Sequence, residues 1–361
     1  MKPKPCADVW MGYLAGSGDC MPYHSSTKSR AVSTWLLVVA ALVCAMIIIG
    51  GTTRLTDSGL SITEWKPISG AIPPLSQQDW QDEFALYQQT TEFQVQNSAM
   101  TLEEFEFIFW WEWGHRQLGR LIGLVYFVPF VFFWLRGHLS ARLKPRLFGL
   151  LLLGGAQGAI GWWMVASGLS DRLDVSQYRL ATHLGMAFVI LGLSIWFSLE
   201  ARYGPPPLRR GRLAGVTAGL LGLVFLQIIL GAFVAGLDAG RIYNTWPLMN
   251  GDLIPEGYLG GMSFFPAVFE SHAAVQMHHR WTGYLVALGV FIYAWLIWRE
   301  PRVSLKPFML ILPALVIGQI ALGIAALLAV VPLSLSLAHQ AGAILLFIAT
   351  VWAAWTARRA V

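Results

Sequence analysis

From position 307 to position 357 the chain carries no Asp, Glu, Lys or Arg. No soluble core needs an uncharged stretch that long. A hydrocarbon layer about 30 Å thick is crossed by about 20 apolar residues, so this stretch is long enough for two crossings. Pro332, with Ser334 and Ser336, marks a turn between them. Shorter runs of the same kind lie at 31–53, 121–135 (extended upstream through Glu112), 147–170, 180–199, 213–237 and 281–298. The reading is an all-α integral membrane protein with eight transmembrane helices. With 56% hydrophobic and 12% charged residues, against about 25% charged in soluble chains, a soluble enzyme, a disordered chain and a fibre are excluded. A transmembrane β-barrel would show short alternating segments instead.

Basic residues set the expected orientation. Lys2, Lys4, Lys28 and Arg30 precede the first span. Arg136, Arg142, Lys144 and Arg146 follow the second, and Arg202, Arg209, Arg210 and Arg212 follow the fourth. Arg299, Arg302 and Lys306 follow the sixth, and Arg358 and Arg359 follow the eighth. These are 17 of the 25 Lys and Arg. The opposite loops hold Asp57, Glu64, Asp82 and Glu83. Both termini are therefore expected on the cytoplasmic side, and the basic surplus is read as loop charge rather than a nucleic-acid footprint. The first 30 residues have no apolar core of the kind a cleavable signal peptide needs, and Asp8 and Asp19 speak against a transit peptide.

The sequence repeats itself. Residues 50–59 match 231–240 at an offset of 181, and Trp65, Gly70 and Pro74 then match Trp246, Gly251 and Pro255. Further on, His115-Arg116 with Gly119 matches His279-Arg280 with Gly283. Gln157 and Gly161 match Gln319 and Gly323, and His183 matches His339. With four helices per unit, the two halves have the same topology. They are expected as repeated four-helix bundles related by a pseudo-two-fold axis along the membrane normal. The expected division is a tail at 1–30, an N-terminal half at 31–200, a linker at 201–212 and a C-terminal half at 213–361.

Of eight histidines, His24 and His138 fall in the tail or a basic loop and are expected to be solvated, and His272 falls in an outer loop. The other assigned four, His115, His183, His279 and His339, fall at the outer ends of the second, fourth, sixth and eighth spans. A single intramembrane histidine is more often a hydrogen-bonded core residue. Four in two repeat-related pairs are not, because ionisable groups at membrane depth are costly and mark function. His278 competes with His279, but His279 is the one that precedes Arg, as His115 does. Two imidazoles facing each other across four helices suit a bis-histidine haem, whereas zinc wants three or four protein ligands. Gly119, Gly123, Gly154, Gly155, Gly158 and Gly161, with Gly318, Gly323 and Gly342, leave room for a flat macrocycle or for close helix packing. Arg116 and Arg280 are candidates for haem propionates, with snorkelling to the interface as the alternative. The three cysteines, Cys6, Cys20 and Cys44, form no CxxC motif, which argues against a zinc ribbon, an iron–sulfur cluster or a disulfide scaffold.

The halves differ at one place. Glu112 lies three residues before His115 on the same helical face, and its counterpart is Gln276. Thr101-Leu-Glu-Glu104 reads as a capping box, so the helix should begin there, with Glu112 one turn outward of His115. The Glu-x-x-His spacing also occurs in di-iron bundles, but those need two such motifs and two more glutamates. An acid beside one pair only suggests that one half does chemistry and the other carries electrons. Pairing with Arg116 or Arg120 is the plainer alternative for Glu112.

Residues 50–74 (GGTTRLTDSGLSITEWKPISGAIPP), 107–116 (FIFWWEWGHR), 244–251 (NTWPLMNG) and His279-Arg280 resemble the haem A synthase family, and the resemblance runs from 31 to 356. It implies an oxidoreductase of the bacterial inner membrane that converts the C8 methyl of haem O to the formyl of haem A, destined for cytochrome c oxidase. By position, His279 and His339 resemble the axial ligands of a resident haem b. His115 and His183 resemble the pair holding the haem substrate, and Glu112 resembles the acid near the reacting methyl. Other expected partners are haem O synthase, cytochrome c oxidase assembly factors, membrane lipid and an unidentified electron acceptor. The absence of cysteine from the expected outer loops resembles the cysteine-lacking proteobacterial and mitochondrial branch. Two alternatives stand beside this reading. A b-type cytochrome drawing electrons from quinol would use both pairs as permanent haem sites. A transporter would leave four histidines on one side unexplained.

Overall fold

The computed structural model describes residues 27–169, 172–206 and 211–359. The basic residues Lys2 and Lys4, His24, Cys6, Cys20 and the linker arginines Arg209 and Arg210 lie outside the described residues. Among those described there are eleven α-helices and no β-strand: α1 (Thr27–Leu55), α2 (Gln77–Tyr87), α3 (Thr91–Val95), α4 (Leu102–Leu135), α5 (Leu143–Val165), α6 (Gln177–Tyr203), α7 (Arg212–Gly236), α8 (Phe264–Glu270), α9 (His272–Trp298), α10 (Phe308–Leu328) and α11 (Leu333–Arg359). Eight of them, all but α2, α3 and α8, are long and apolar enough to cross a membrane, as the uncharged runs predict.

The longest, α4, has 34 residues, about 50 Å at 1.5 Å per residue. It therefore outreaches the hydrocarbon layer and carries its first turns beyond one face of it. Its start is chemically defined: Glu104 N donates to the Thr101 side chain, and Thr101 N donates to the Glu104 carboxylate at 2.8 Å. This is the predicted capping box. The turn between α10 and α11 falls at 329–332, ending at Pro332 as expected, but Ser334 and Ser336 lie in the first turns of α11. The turn places Val330 and Val331 at φ +61° and +59°, a left-handed conformation that strains β-branched residues.

Two expectations need correction. The helix bearing His279 begins nine residues before the uncharged run at 281, because Ser271 caps it through a bond accepted from Ala274 N. His272 is thus the first helical residue rather than a loop residue. His138 is not freely solvated: it is half-buried, with its ring against Phe132 and Phe133.

Helix α1 packs on α4 and α6, and α5 packs along α6 but meets α4 only briefly. Helix α7 packs on α9 and α11, and α10 lies along both α9 and α11. The two sets join through α6 against α7 and α11, and through α1 against α11. In lipid, helices associate through close packing and hydrogen bonds rather than hydrophobic gain. Accordingly, Gly185 faces Ile229 and Gly192 faces Phe347 across these contacts, and Gln340 Nε2 donates to the Ile47 carbonyl at 2.8 Å. Leu121, Leu124 and Val128 on α4 and Leu285, Leu288 and Ile292 on α9 point outward. The connections before α4 and α9 carry α2, α3 and α8. The first encloses a small aromatic core of its own, with Tyr87, Phe105 and Phe109 buried among Trp80, Phe84 and Phe93.

Candidate active site

The four histidines share one depth. His115 lies 20 residues before Leu135, His183 20 before Tyr203, His279 19 before Trp298 and His339 20 before Arg359, counted to the last residue of each helix. At 1.5 Å per residue each is about 30 Å from the far end of its helix, one hydrocarbon thickness. The four helices are alternate spans and run in the same direction, so all four rings lie on one side.

Their surroundings repeat as well. His115 lies against Gly50 of α1, His183 against Gly161 of α5, His279 against Gly231 of α7 and His339 against Gly323 of α10. A methyl added to those glycines would come within 3.1, 2.9, 3.0 and 2.8 Å of the rings respectively. Any residue but glycine would push the imidazole away. Gln157 Nε2 donates to the His183 carbonyl at 3.0 Å, and Gln319 Nε2 donates to the His339 carbonyl at 2.8 Å. Gln227 Nε2 donates to the His279 carbonyl at 3.0 Å.

The rings of His279 and His339 have centroids 6.4 Å apart and planes at 79°. One metal between two imidazoles, with bonds of about 2 Å and about 1 Å from each nitrogen to its ring centre, needs a separation of about 6 Å. His115 and His183 are near enough to interact electrostatically. A ring nitrogen of His183 and one of His339 are buried without a hydrogen-bond partner, which is costly for a polar atom unless something else satisfies it. Among the described residues no three or more His, Cys, Asp or Glu converge as a metal-binding cluster. The donor set is therefore two imidazoles per site with no further protein ligand. That fits an iron whose other four bonds come from a porphyrin and does not fit zinc.

Glu112 is buried, with 3% exposure, and every face of its carboxylate is engaged. Oε1 accepts from Arg116 Nε at 3.0 Å and from the terminal guanidinium nitrogen at 2.6 Å. Oε2 accepts from Ser61 Oγ and Ile62 N, both at 2.8 Å. Arg116 also donates to the carbonyls of Ile62 and Glu64, and Arg120 to those of Lys66 and Pro67. The segment 61–67 is thereby fastened over the outer end of α4, and Trp65 stacks on Trp162 of α5 at 5.9 Å. The second half uses the same plan without the charge. Arg280 donates to Tyr243 and Thr245 carbonyls and to Gln276 Oε1, and Gln276 donates to the Ala239 and Ile242 carbonyls. Ile62 and Glu64 stand 181 positions before Tyr243 and Thr245, the offset seen in the sequence. His278 turns away to Tyr258 at 3.0 Å.

Where α1 ends, the mostly buried Arg54 bridges Asp57 at 3.0 Å, Asp174 at 3.5 Å and Asp238 at 2.7 Å. Asp57 and Asp238 are repeat-related and both left-handed, at φ +48° and +50°. Burial, with Asp174 and Asp238 nearby, raises the Asp57 carboxyl despite Arg54. Glu92 of α3 is buried with one oxygen unpartnered. Burial first, then the like charges of Asp57, Asp174 and Glu112, push it up to about 8. An open cavity of about 340 Å³ lies here, lined by Arg172, Asp174, Asp238 and His272, and none of the four paired histidines borders it.

The family model described as cytochrome oxidase assembly protein (COX15-CtaA) matches residues 33–351. A haem A synthase of Maricaulis maris is 96% identical over 341 residues, covering 94% of this chain and 100% of that one. The chain belongs to the haem A synthase family. Other haem A synthases, of Parvibaculum lavamentivorans and Paracoccus denitrificans, are 51% identical over 328 residues and 50% identical over 329. They cover 91% and 88% of this chain and 94% and 85% of their own lengths. For a haem A synthase family member, sequence reasoning missed Ser61, Ile62 N, Gln227 and Glu92. Gln157 and Gln319 stood out only as repeat matches. Their positions four residues before Gly161 and Gly323, which abut His183 and His339, were the available signal.

Proposed function

We propose that the two histidine pairs are two haem sites with different tasks. The chain is an oxidoreductase that converts haem O to haem A, turning the C8 methyl into a formyl group. The substrate belongs in the half built by α1, α4, α5 and α6, between His115 and His183. Haem b belongs, as a resident cofactor, between His279 and His339. The halves descend from one duplicated four-helix unit with its axis along the membrane normal, and the repeated contacts of Arg116 and Arg280 support this.

The observation that carries the assignment is Glu112 against Gln276. Both halves pin an outer segment through the Arg after the first histidine, but only the first places a fixed negative charge one helical turn from a histidine pair. Oxidising a methyl is beyond amino-acid side chains, and bound haem iron supplies the redox chemistry. The chain's own residues orient and insulate. His115 and His183 fix the substrate's depth, and Gly50 and Gly161 set the ring positions. Segment 61–67 limits water at the outer mouth. Glu112, accepting from four donors, is a fixed anion rather than a mobile base, suited to stabilising positive charge that develops beside it. Arg116 commits all three nitrogens to Glu112 and the loop, so its task is to hold that carboxylate. Arg280 Nε is buried without a partner and is the atom left for a haem propionate. The setting is the bacterial inner membrane with both termini cytoplasmic, between haem O synthase and cytochrome c oxidase assembly factors, with an electron acceptor outside the chain.

The test is spectroscopy and haem extraction after expression with and without a haem O source. Haem A should accumulate only with the source, and His279→Ala or His339→Ala should abolish the low-spin b-type spectrum in a membrane-inserted protein. An unchanged haem b spectrum in both variants overturns the ligand assignment.

A further inference from the structure

Three of the four paired histidines are clamped from the neighbouring helix by a carboxamide, and the fourth is not. Gln157, Gln319 and Gln227 each donate to the backbone carbonyl of the histidine beside them. The position corresponding to Gln227 on α1 is Met46, 181 residues earlier. The correspondence is geometric as well as numerical. Gly283, four residues after His279, has Gln227 Nε2 3.3 Å from where its methyl would stand. Gly119, four residues after His115, has Met46 Cε at 3.5 Å. Both side chains occupy the same place over the turn that follows the histidine. A thioether has no hydrogen to give, and among the described residues no side chain donates to the His115 carbonyl.

A helical carbonyl already accepts one bond from the amide four residues on, and a second donor ties that turn to the adjacent helix. This limits rotation of the helix and so fixes the direction of the imidazole, as outer hydrogen bonds do for metal-bound histidines. The Gln227 carboxamide also lies 3.1 Å from His279 Nδ1, so it restrains the ring as well as the backbone. Met46 does neither for His115. The asymmetry falls where the proposed division of labour needs it, because a resident cofactor must survive many turnovers while a substrate site must release its product.

We infer that the Met46/Gln227 difference sets how firmly each half keeps its haem. Gln227 is a positioning residue that locks the His279–His339 site, and Met46 leaves the His115–His183 site exchangeable. The inference rests on the two-site reading above. It places the control of exchange on α1 and α7, away from the outer loops and from Glu112.

The test uses the full chain, purified in detergent and loaded with haem, with release followed spectroscopically on mixing with excess apomyoglobin. The wild type should release haem in a fast and a slow phase, with His115→Ala removing the fast one. Met46→Gln should slow the fast phase by about tenfold, the worth of one buried hydrogen bond that orients a metal ligand. Gln227→Met should speed the slow phase by about tenfold and shift its low-spin absorption, a change that loss of packing elsewhere would not produce. Each variant decides by itself if the other fails to insert. Rates unchanged in a folded variant, with the two phases intact and His115→Ala removing the fast one, overturn the inference and leave the two-site reading standing. A single phase indifferent to His115→Ala overturns the two-site reading, and the inference falls with it.

Discussion

Replacing Glu112 by glutamine separates the fastening that the structure shows from the charge role proposed for the same carboxylate. Glu112 accepts from Arg116 on one oxygen and from Ser61 and Ile62 on the other. A glutamine of the same shape must turn its amide nitrogen toward one of these groups of donors. Facing Arg116 would set donor against donor. Facing segment 61–62 lets the Ser61 hydroxyl turn and accept, but leaves Ile62 N without an acceptor. The second arrangement costs about 1–3 kcal/mol for the buried amide, and the two bonds to Arg116 lose their charge assistance. A loss of a few kcal/mol loosens segment 61–67 without unfolding eight packed helices. If the anion also stabilises the oxidation step, haem A formation should fall by a further factor of roughly 10²–10⁴, with haem O or a hydroxylated product retained. The control is Ser61→Ala, which removes one bond to the same oxygen, about 1 kcal/mol, and keeps the charge. Haems extracted from both variants give the answer, with limited proteolysis reporting the looseness of the segment. Glu112→Gln should make almost no haem A, while Ser61→Ala stays within about tenfold of the wild type. Near-normal haem A from Glu112→Gln, or an equally deep loss in Ser61→Ala, would refute a charge role and leave Glu112 as a fastener.

Glu92 makes stability depend on pH. Its carboxyl is raised in the folded state to about 8, so folding favours the protonated form. The contribution is complete below the unfolded value near 4.5 and is lost as pH rises toward 8, by up to about 1.4 kcal/mol per pH unit. Thermal denaturation from pH 5 to 9 should show a falling Tm that flattens in Glu92→Gln, and an unchanged slope would remove Glu92 as the cause. Reporter fusions after Arg142 and after Arg209 should read as cytoplasmic and one near Asp82 as outside; the reverse pattern would invert the topology.

The spans were legible because crossing a membrane demands length and apolarity, and little else satisfies it. The start of α4 was legible because Thr101 and Glu104 are the two halves of one capping interaction. The start of α9 was not. Arg280 bounds the uncharged run at 281, the residues before Met277 read as outer loop, and the single Ser271 cap is a weaker signal than the box at Thr101. The four histidines stood out in the sequence through its matching stretches, and the structure gives each of them a glycine neighbour on the adjacent helix. The partners of Glu112 were half legible. Arg116, four residues on, follows from helical spacing, but Ser61 and Ile62 reach it from 51 and 50 positions earlier, across the loop that carries α2 and α3, a contact that no local rule predicts. The carboxamide clamps were legible only as positions: Gln157 and Gln319 match in the repeat and precede Gly161 and Gly323 by four residues, but the backbone carbonyl each one holds leaves no trace in residue type.

The common depth of the four histidines has an energetic consequence. Charge crossing a membrane does work against the transmembrane voltage, about 2.3 kcal/mol per elementary charge for each 100 mV. The His115–His183 and His279–His339 pairs lie at one level, so under the proposed two-haem reading charge exchanged between the halves would travel sideways, along a surface of nearly constant potential. Such an exchange would neither draw on the voltage nor add to it, and would run alike in an energised and a de-energised membrane.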